Sequence, residues 1–159
     1  MIGGERDSCD RLPKFGDRVA LMLGRALATN VLGPFRLTKA LLGSLAASAR
    51  EGRRAVVVNV SSDAAVNAYP RWGAYGASKA ALLHLSRIWD EELSQEGVRI
   101  LSTDPGDMDT PLHAAAVPDA DGSTLKQPEV AARELADTLA ARLSRRSLDF
   151  EAIVQEAVA

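Results

Sequence analysis

The stretch Ala55-Val56-Val57-Val58-Asn59-Val60 constrains the rest of the chain more than any other. It is apolar and β-branched almost throughout. A strand with one wet face alternates apolar and polar residues, and this one does not, so both of its faces must be covered. A parallel sheet with helices packed around it provides that cover. A second run of the same kind, Val98-Arg99-Ile100-Leu101-Ser102-Thr103, follows after a stretch of helical spacing. The order helix, strand, helix, strand, helix indicates the α/β class.

In chain order, residues 1–16 read as a loose, polar leader with Gly3, Gly4 and Pro13. Asp17 is placed to cap a helix from Arg18 to about Ala28, with Val19, Leu23, Ala26 and Leu27 on its apolar side. A separate, longer helix is expected to begin near Asn30, which is suited to capping it, and to run to about Ser48. Its apolar positions are Leu32, Phe35, Leu37, Leu41, Leu42 and Leu45, and Pro34 fits only near its start. After the first strand, a loop from Ser61 to Gly73 leads into a helix from Tyr75 to about Ser94. Ala80, Ala81, Leu82, Leu85, Ile88, Trp89 and Leu93 are its expected buried positions, and Gly97 closes it. Beyond the second strand, Asp104 to Pro111 is turn-rich, and Leu112 to Thr124 reads as a mobile flap. Glu129 to Leu143 has helical spacing, with Val130, Leu135, Leu139 and Leu143 on one side and Pro128 where a helix would begin. Ser147 to Ala159 fits a strand or a short helix. The whole is expected to be a single domain of 159 residues, with 17–113 its central segment and 114–159 flap, helix and tail.

Hydrophobic content of 47% with 25% charged residues fits a packed globular chain. A formal net charge of −2 and 4% aromatics leave no electrostatic footprint or stacking platform for nucleic acid. No stretch reaches the length of a membrane span. Cys9 is the lone cysteine, so no intrachain disulfide forms, in keeping with a cytoplasmic location. Metal binding is not expected. Pro105 interrupts Asp104, Asp107 and Asp109, no bidentate Glu follows at the needed offset, and His84 and His113 lack ligand spacing. A lone loop histidine such as His113 is ordinarily solvated.

Chemistry gathers at the carboxyl end of the first strand. Ser61 and Ser62 terminate it, and Tyr75-Gly76-Ala77-Ser78-Lys79 opens the next helix. Residues four apart share a helix face, so the Tyr75 phenol and the Lys79 ammonium are neighbours. A nearby cation favours the ionised phenol and lowers its pKa from about 10. Such a phenol can exchange a proton with a substrate oxygen, and a serine hydroxyl at the strand end can bond the same oxygen. Open parallel sheets bind their ligands at that end.

From about Arg18 to His113 the chain resembles the short-chain dehydrogenase/reductase family. The matching pieces stand in the family's order: Asn30 in Thr29-Asn30-Val31, Phe35 to Lys39, Val58-Asn59-Val60-Ser61-Ser62, Tyr75 to Leu82, and Pro105-Gly106 followed by Thr110. The resemblance implies a Rossmann-like fold, here part of a doubly wound parallel sheet. It implies hydride transfer between NAD or NADP and a carbonyl/alcohol pair, the hard step belonging to the cofactor. By it, Tyr75 is the general acid/base, and Lys79 lowers its pKa and bonds the nicotinamide ribose. Ser62 holds the substrate oxygen, and Asn30 anchors a water that passes protons to Lys79. Pro105, Gly106 and Thr110 line the nicotinamide. It also implies a homo-oligomer formed through the helices at 33–48 and 75–94.

The family's opening strand, Gly-rich turn and pyrophosphate-binding helix have no counterpart here. The strand at 55–60 would be the family's fifth. Without a fourth beside it, its edge is bare and apolar, part of the neighbouring helix surface faces water, and such edges invite pairing with other chains. Two functions are therefore carried: an oxidoreductase of this type, or a non-catalytic remnant serving as an oligomerisation module.

Overall fold

The computed structural model describes residues 17–144, with side chains described for 21–141. The expected leader and the tail at 147–159 lie outside the described residues. The elements run α1 (Asp17–Leu27), a π-helical turn (Ala28–Leu32), α2 (Gly33–Arg50), β1 (Ala55–Val60), α3 (Gly73–Ser94), β2 (Val98–Thr103), α4 (Pro111–Ala116) and α5 (Pro128–Ser144). β1 and β2 pair in parallel over their whole lengths, from Ala55 beside Val98 to Val60 beside Thr103. α3 crosses between them and packs back on the pair, the crossover that parallel strands require.

One buried stripe of α3 does most of this packing. Ser78, Leu82, Ser86 and Asp90 recur every four residues and are all buried. Its polar members are tied to neighbouring elements. Asn59 Nδ2 of β1 donates to Ser86 Oγ at 2.9 Å, and Ser86 Oγ donates to the Leu82 carbonyl at 2.7 Å. Asp90 accepts from Arg99 and from the Ile100 N–H of β2. Below this stripe, Ala46, Ala55, Val98 and Ile100 form a small core, with Leu45, Ala49, Val57, Trp89 and Leu93 packed around it. Gly97 ends the α3–β2 turn with φ +74°, the left-handed conformation expected of a glycine closing a helix.

Several expectations are corrected. The break foreseen between Ala28 and Asn30 is absent, because α1, the π turn and α2 form one continuous helical run. Pro34 lacks an N–H and crowds the carbonyl one turn back. The wider turn, in which Gly33 N–H reaches the Ala28 carbonyl, absorbs that misfit without ending the helix. Asn30 therefore lies inside a helix and caps nothing. The buried residues of α2 are Thr38 and Ala46, while Leu32 of the π turn and Phe35, Leu37 and Leu41 of α2 are exposed, in line with a helix surface partly facing water beside a bare strand edge. Ile88 and Val130 are exposed as well. The segment 112–124 holds most of α4 and a short 3-10 turn, Gly122–Thr124. Its base is closed where Asp109 N–H donates to Lys126 O at 2.8 Å and Lys126 N–H donates to Asp107 O at 3.1 Å. His113 lies on α4 with its side chain only 13% exposed, so it is not the solvated loop histidine expected.

Candidate active site

The site forms where the two strands end. Ser61 N–H donates to the Thr103 carbonyl of β2 at 2.6 Å. Backbone groups alternate sides along a strand, so the preceding Val60 turns its carbonyl toward the opposite edge of β1, which no strand among the described residues pairs. Lys79 meets it there, donating from Nζ at 2.9 Å. The same ammonium lies 5.6 Å from the centroid of the Tyr75 ring. The i, i+4 spacing thus brings phenol ring and ammonium together, as the sequence predicts. Burial holds the Lys79 ammonium below the ordinary lysine range, and the nearby charge of Asp104 partly opposes this. That charge also shows the loop after β2 standing close to Lys79.

Asn30 joins the site from the helical run. Its Nδ2 donates to Ser78 Oγ at 2.9 Å, and Ser78 Oγ donates to the carbonyl of Tyr75 at 2.7 Å. The π turn thereby grips the first turn of α3 at the residue that carries the phenol. Asn30 and Lys79 both line a groove of about 460 Å³ along the free edge of β1, with Thr29, Leu37, Leu41 and Leu82. A lysine ammonium has three donors, and one is used on Val60, which leaves two for a ligand in this groove.

Ser62 is bonded within its own loop. Its Oγ donates to Asp63 Oδ1 at 3.2 Å and accepts the Ala64 N–H at 3.2 Å, and no hydrogen bond joins it to Tyr75. The other carboxylate oxygen of Asp63 accepts from Tyr69 Oη. This contact pushes the Tyr69 phenol above its ordinary value. Tyr69 packs on Trp72 at 5.5 Å between centroids, and Trp72 meets Tyr75 edge-on at 5.7 Å. The loop thus returns from Ser62 to Tyr75 through a carboxylate and three rings. Ser61 beside it is buried, and its hydroxyl has no hydrogen-bond partner among the described residues.

On the β2 side, Gly106 adopts φ +74°, and its N–H donates to Asp104 Oδ1 at 2.9 Å. Thr110 caps α4 by accepting the His113 N–H at 3.2 Å. Pro105 lies between Asp104 and Gly106 in the same turn. Among the described residues, no group of three or more His, Cys, Asp or Glu side chains is arranged to hold a metal ion. No helix among them is long and apolar enough to cross a membrane.

Sequence reasoning missed Ser78, Asp63 and Tyr69. Ser78 was legible in retrospect: it lies three residues after Tyr75, on the helix face toward the core. Asp63 follows Ser62 directly, but its link to Tyr69 spans a loop whose path no spacing rule gives.

The sequence profile of the short chain dehydrogenases matches residues 19–121, more than half of the chain. The chain belongs to that family. Short chain dehydrogenases are oxidoreductases, and known members align with this chain over the elements just described. A 3-hydroxyacyl-CoA dehydrogenase type-2 from Drosophila melanogaster is 34% identical over 93 residues, covering 57% of this chain and 36% of that protein. A short chain dehydrogenase from Pseudomonas syringae superposes with a TM-score of 0.64 at 32% identity, over 76% of this chain and 45% of that one. Another, from Shigella flexneri and solved complexed with NADP, gives 0.57 at 33% identity, over 64% and 41%. The chain thus spans between about a third and a half of the length of these relatives. Their fold is the Rossmann type, and β1, α3 and β2 are part of it.

Proposed function

We propose that this chain carries the proton-transfer half of an NAD(P)-dependent oxidoreductase acting on a small carbonyl/alcohol pair. The observation that supports this best is the pairing of Tyr75 and Lys79 at the carboxyl end of β1, with the Lys79 ammonium 5.6 Å from the phenol ring. Tyr75 is the acid/base: its hydroxyl makes no hydrogen bond to another described residue and is free to meet a substrate oxygen. Lys79 supplies the positive charge beside it. Ser62 holds the substrate oxygen, and Asn30 steadies the Tyr75 turn through Ser78 and reaches Lys79 through water.

NAD or NADP supplies the hydride when bound. The residues present suit its nicotinamide-ribose end: Lys79 retains two donors at the groove, and Asp104, at the start of the loop that carries Pro105, Gly106 and Thr110, is near enough to act on its charge. No glycine-rich pyrophosphate turn occurs among the described residues. The NADP complex of the Shigella flexneri relative favours the same cofactor class here. We further propose a cytoplasmic homo-oligomer through the helices at 33–48 and 75–94. Leu37 and Leu41 on the first and Ile88 on the second are exposed apolar side chains suited to such a contact.

Titration of nicotinamide fluorescence with the 159-residue chain tests cofactor use, with saturable binding of NADH or NADPH expected. Ketone- or aldehyde-dependent oxidation of the cofactor should vanish in Tyr75→Phe, and a variant that kept the parent's rate would refute the role of Tyr75. Light scattering tests the oligomer, and a monomer across the concentration range would remove it.

A further inference from the structure

We infer that the free edge of β1, with the groove beside it, is a docking site for the carboxyl-terminal end of an extended apolar peptide, which runs parallel to β1 and sets its carboxylate on Lys79. The inference goes beyond the proposed reaction and does not depend on the role of Tyr75. β1 and β2 pair in register, and Ser61 N–H donates to the Thr103 carbonyl. Backbone groups alternate sides along a strand, so Val57, Asn59 and Ser61 face β2, and Val56, Val58 and Val60 turn their N–H and C=O groups to the other edge. Among the described residues no strand pairs with that edge, and the Val60 carbonyl alone is met there, by the Lys79 ammonium at 2.9 Å. A row of donors and acceptors at strand spacing is matched by an extended peptide backbone, and not by a helix or a lipid chain.

The groove along this edge sets the side-chain chemistry of the occupant. Leu37, Leu41, Val57 and Leu82 give it apolar walls, and Lys79 is the one charged residue among those that line it. Leu37 and Leu41 are 62% and 46% exposed, so these walls stand open. A single cation at one end of an apolar groove complements a ligand with one anionic end. Lys79 stands at the carboxyl end of β1, so a terminal carboxylate beside it requires a strand parallel to β1. An antiparallel peptide would bring its terminal ammonium there and be repelled. The Val60 carbonyl is already taken by Lys79, so the ladder along the edge stops at that point. The two donors that Lys79 retains match the two carboxylate oxygens. Burial holds the Lys79 ammonium below the ordinary lysine range, and a neighbouring carboxylate offsets that cost.

The test needs no cofactor. The peptide acetyl-Thr-Val-Thr-Val-Val, with a free carboxylate or as its carboxamide, is titrated into the isotope-labelled 159-residue chain. Amide hydrogen exchange is followed along β1. In the free chain the Val56, Val58 and Val60 amides should exchange fast, and the alternate amides held by β2 slowly. The peptide should protect the first set saturably. The carboxylate form should bind about three- to tenfold more tightly than the carboxamide, the worth of one polar contact at a half-exposed ammonium. Lys79→Met should erase that difference, and Leu41→Glu should weaken both forms. Absence of protection by the peptide, equal affinity for its two forms in the wild type, or an unchanged ratio in folded Lys79→Met would overturn the assignment. Val56, Val58 and Val60 amides already protected in the free chain, or protected by raising chain concentration instead of peptide, would show the edge held by the chain itself or a second copy and would overturn it too. If Lys79→Met does not fold, Leu41→Glu decides, and unchanged affinity there is equally fatal. Activity is a separate arm: peptide binding should survive Tyr75→Phe, and failure of the nicotinamide titration alongside retained peptide binding counts against the coenzyme role alone.

Discussion

Replacing Asp90 by alanine strips three hydrogen bonds from the buried face of α3 at once. Oδ1 accepts from Arg99 Nε and from Ile100 N–H, both at 2.8 Å, and Oδ2 accepts from the Arg99 guanidinium at 2.7 Å. The Asp90 side chain is 6% exposed and that of Arg99 22%. Asp90 raises the Arg99 pKa, and the guanidinium keeps its charge without that partner too, because arginine stays protonated in proteins. Breaking a buried pair from one side costs about 3–5 kcal/mol, and the partial exposure of Arg99 argues for the lower end. The Ile100 N–H faces the edge of β2 away from β1, and leaving it buried and unpaired costs about 1–3 kcal/mol more, partly counted already. A net loss of about 3–4 kcal/mol is expected, a large share of the roughly 5–15 kcal/mol that holds a domain together. Urea unfolding followed by circular dichroism reads this directly. With a slope of about 2 kcal/mol per molar, the midpoint falls by about 1.5–2 M. The double variant Asp90→Ala/Arg99→Ala should recover part of the loss, because no unpaired guanidinium remains, while the Ile100 N–H stays unsatisfied. A single-variant loss below about 1 kcal/mol would refute the view that this cluster fastens α3, and with it Tyr75 and Lys79, to β2.

Three further outcomes are expected. Gly97→Ala places a Cβ at φ +74° and 3.0 Å from the Ala49 Cβ, so thermal unfolding should report a loss of about 1–2 kcal/mol. Asn59→Ala removes the donor to Ser86 inside the buried face and should cost about 1–2 kcal/mol, with faster amide exchange in β1. Asp63 raises the Tyr69 pKa above the ordinary tyrosine value of about 10, so the folded state keeps that proton longer than the unfolded one. The stabilisation from this contact is complete below the unfolded pKa and is lost as pH rises through the folded value. Phenolate absorbance should show a late-ionising tyrosine that disappears in Tyr69→Phe and moves down in Asp63→Asn.

Much of the frame was legible before any coordinates. The β-branched runs at 55–60 and 98–103 are β1 and β2 with the same bounds, and Tyr75 to Ser94 lies within α3. The family motif named residues that the fold brings to one strand end, Tyr75 and Lys79 among them. Helical spacing alone left α2 open, however. Leu37 and Leu41 read as apolar positions of that helix, and they border the open groove beside β1. Spacing reveals that a helix has an apolar side, and it does not say whether a partner element is there to cover it. Asp90 was passed over for a related reason. In Trp89-Asp90-Glu91-Glu92 it reads as part of a wet face, whereas β2 brings Arg99 and an edge N–H to it.

Local sequence alone decided where the chain extends and where it coils, and that a phenol and an ammonium share a helix turn. Those outcomes depend on propensities and spacings within a few residues. Tertiary structure alone decided that Asn30 bonds Ser78 from within a π turn and that Lys79 rests on the Val60 carbonyl. Each of those contacts depends on which donors and acceptors the packed elements leave unpaired, and no single segment carries that information.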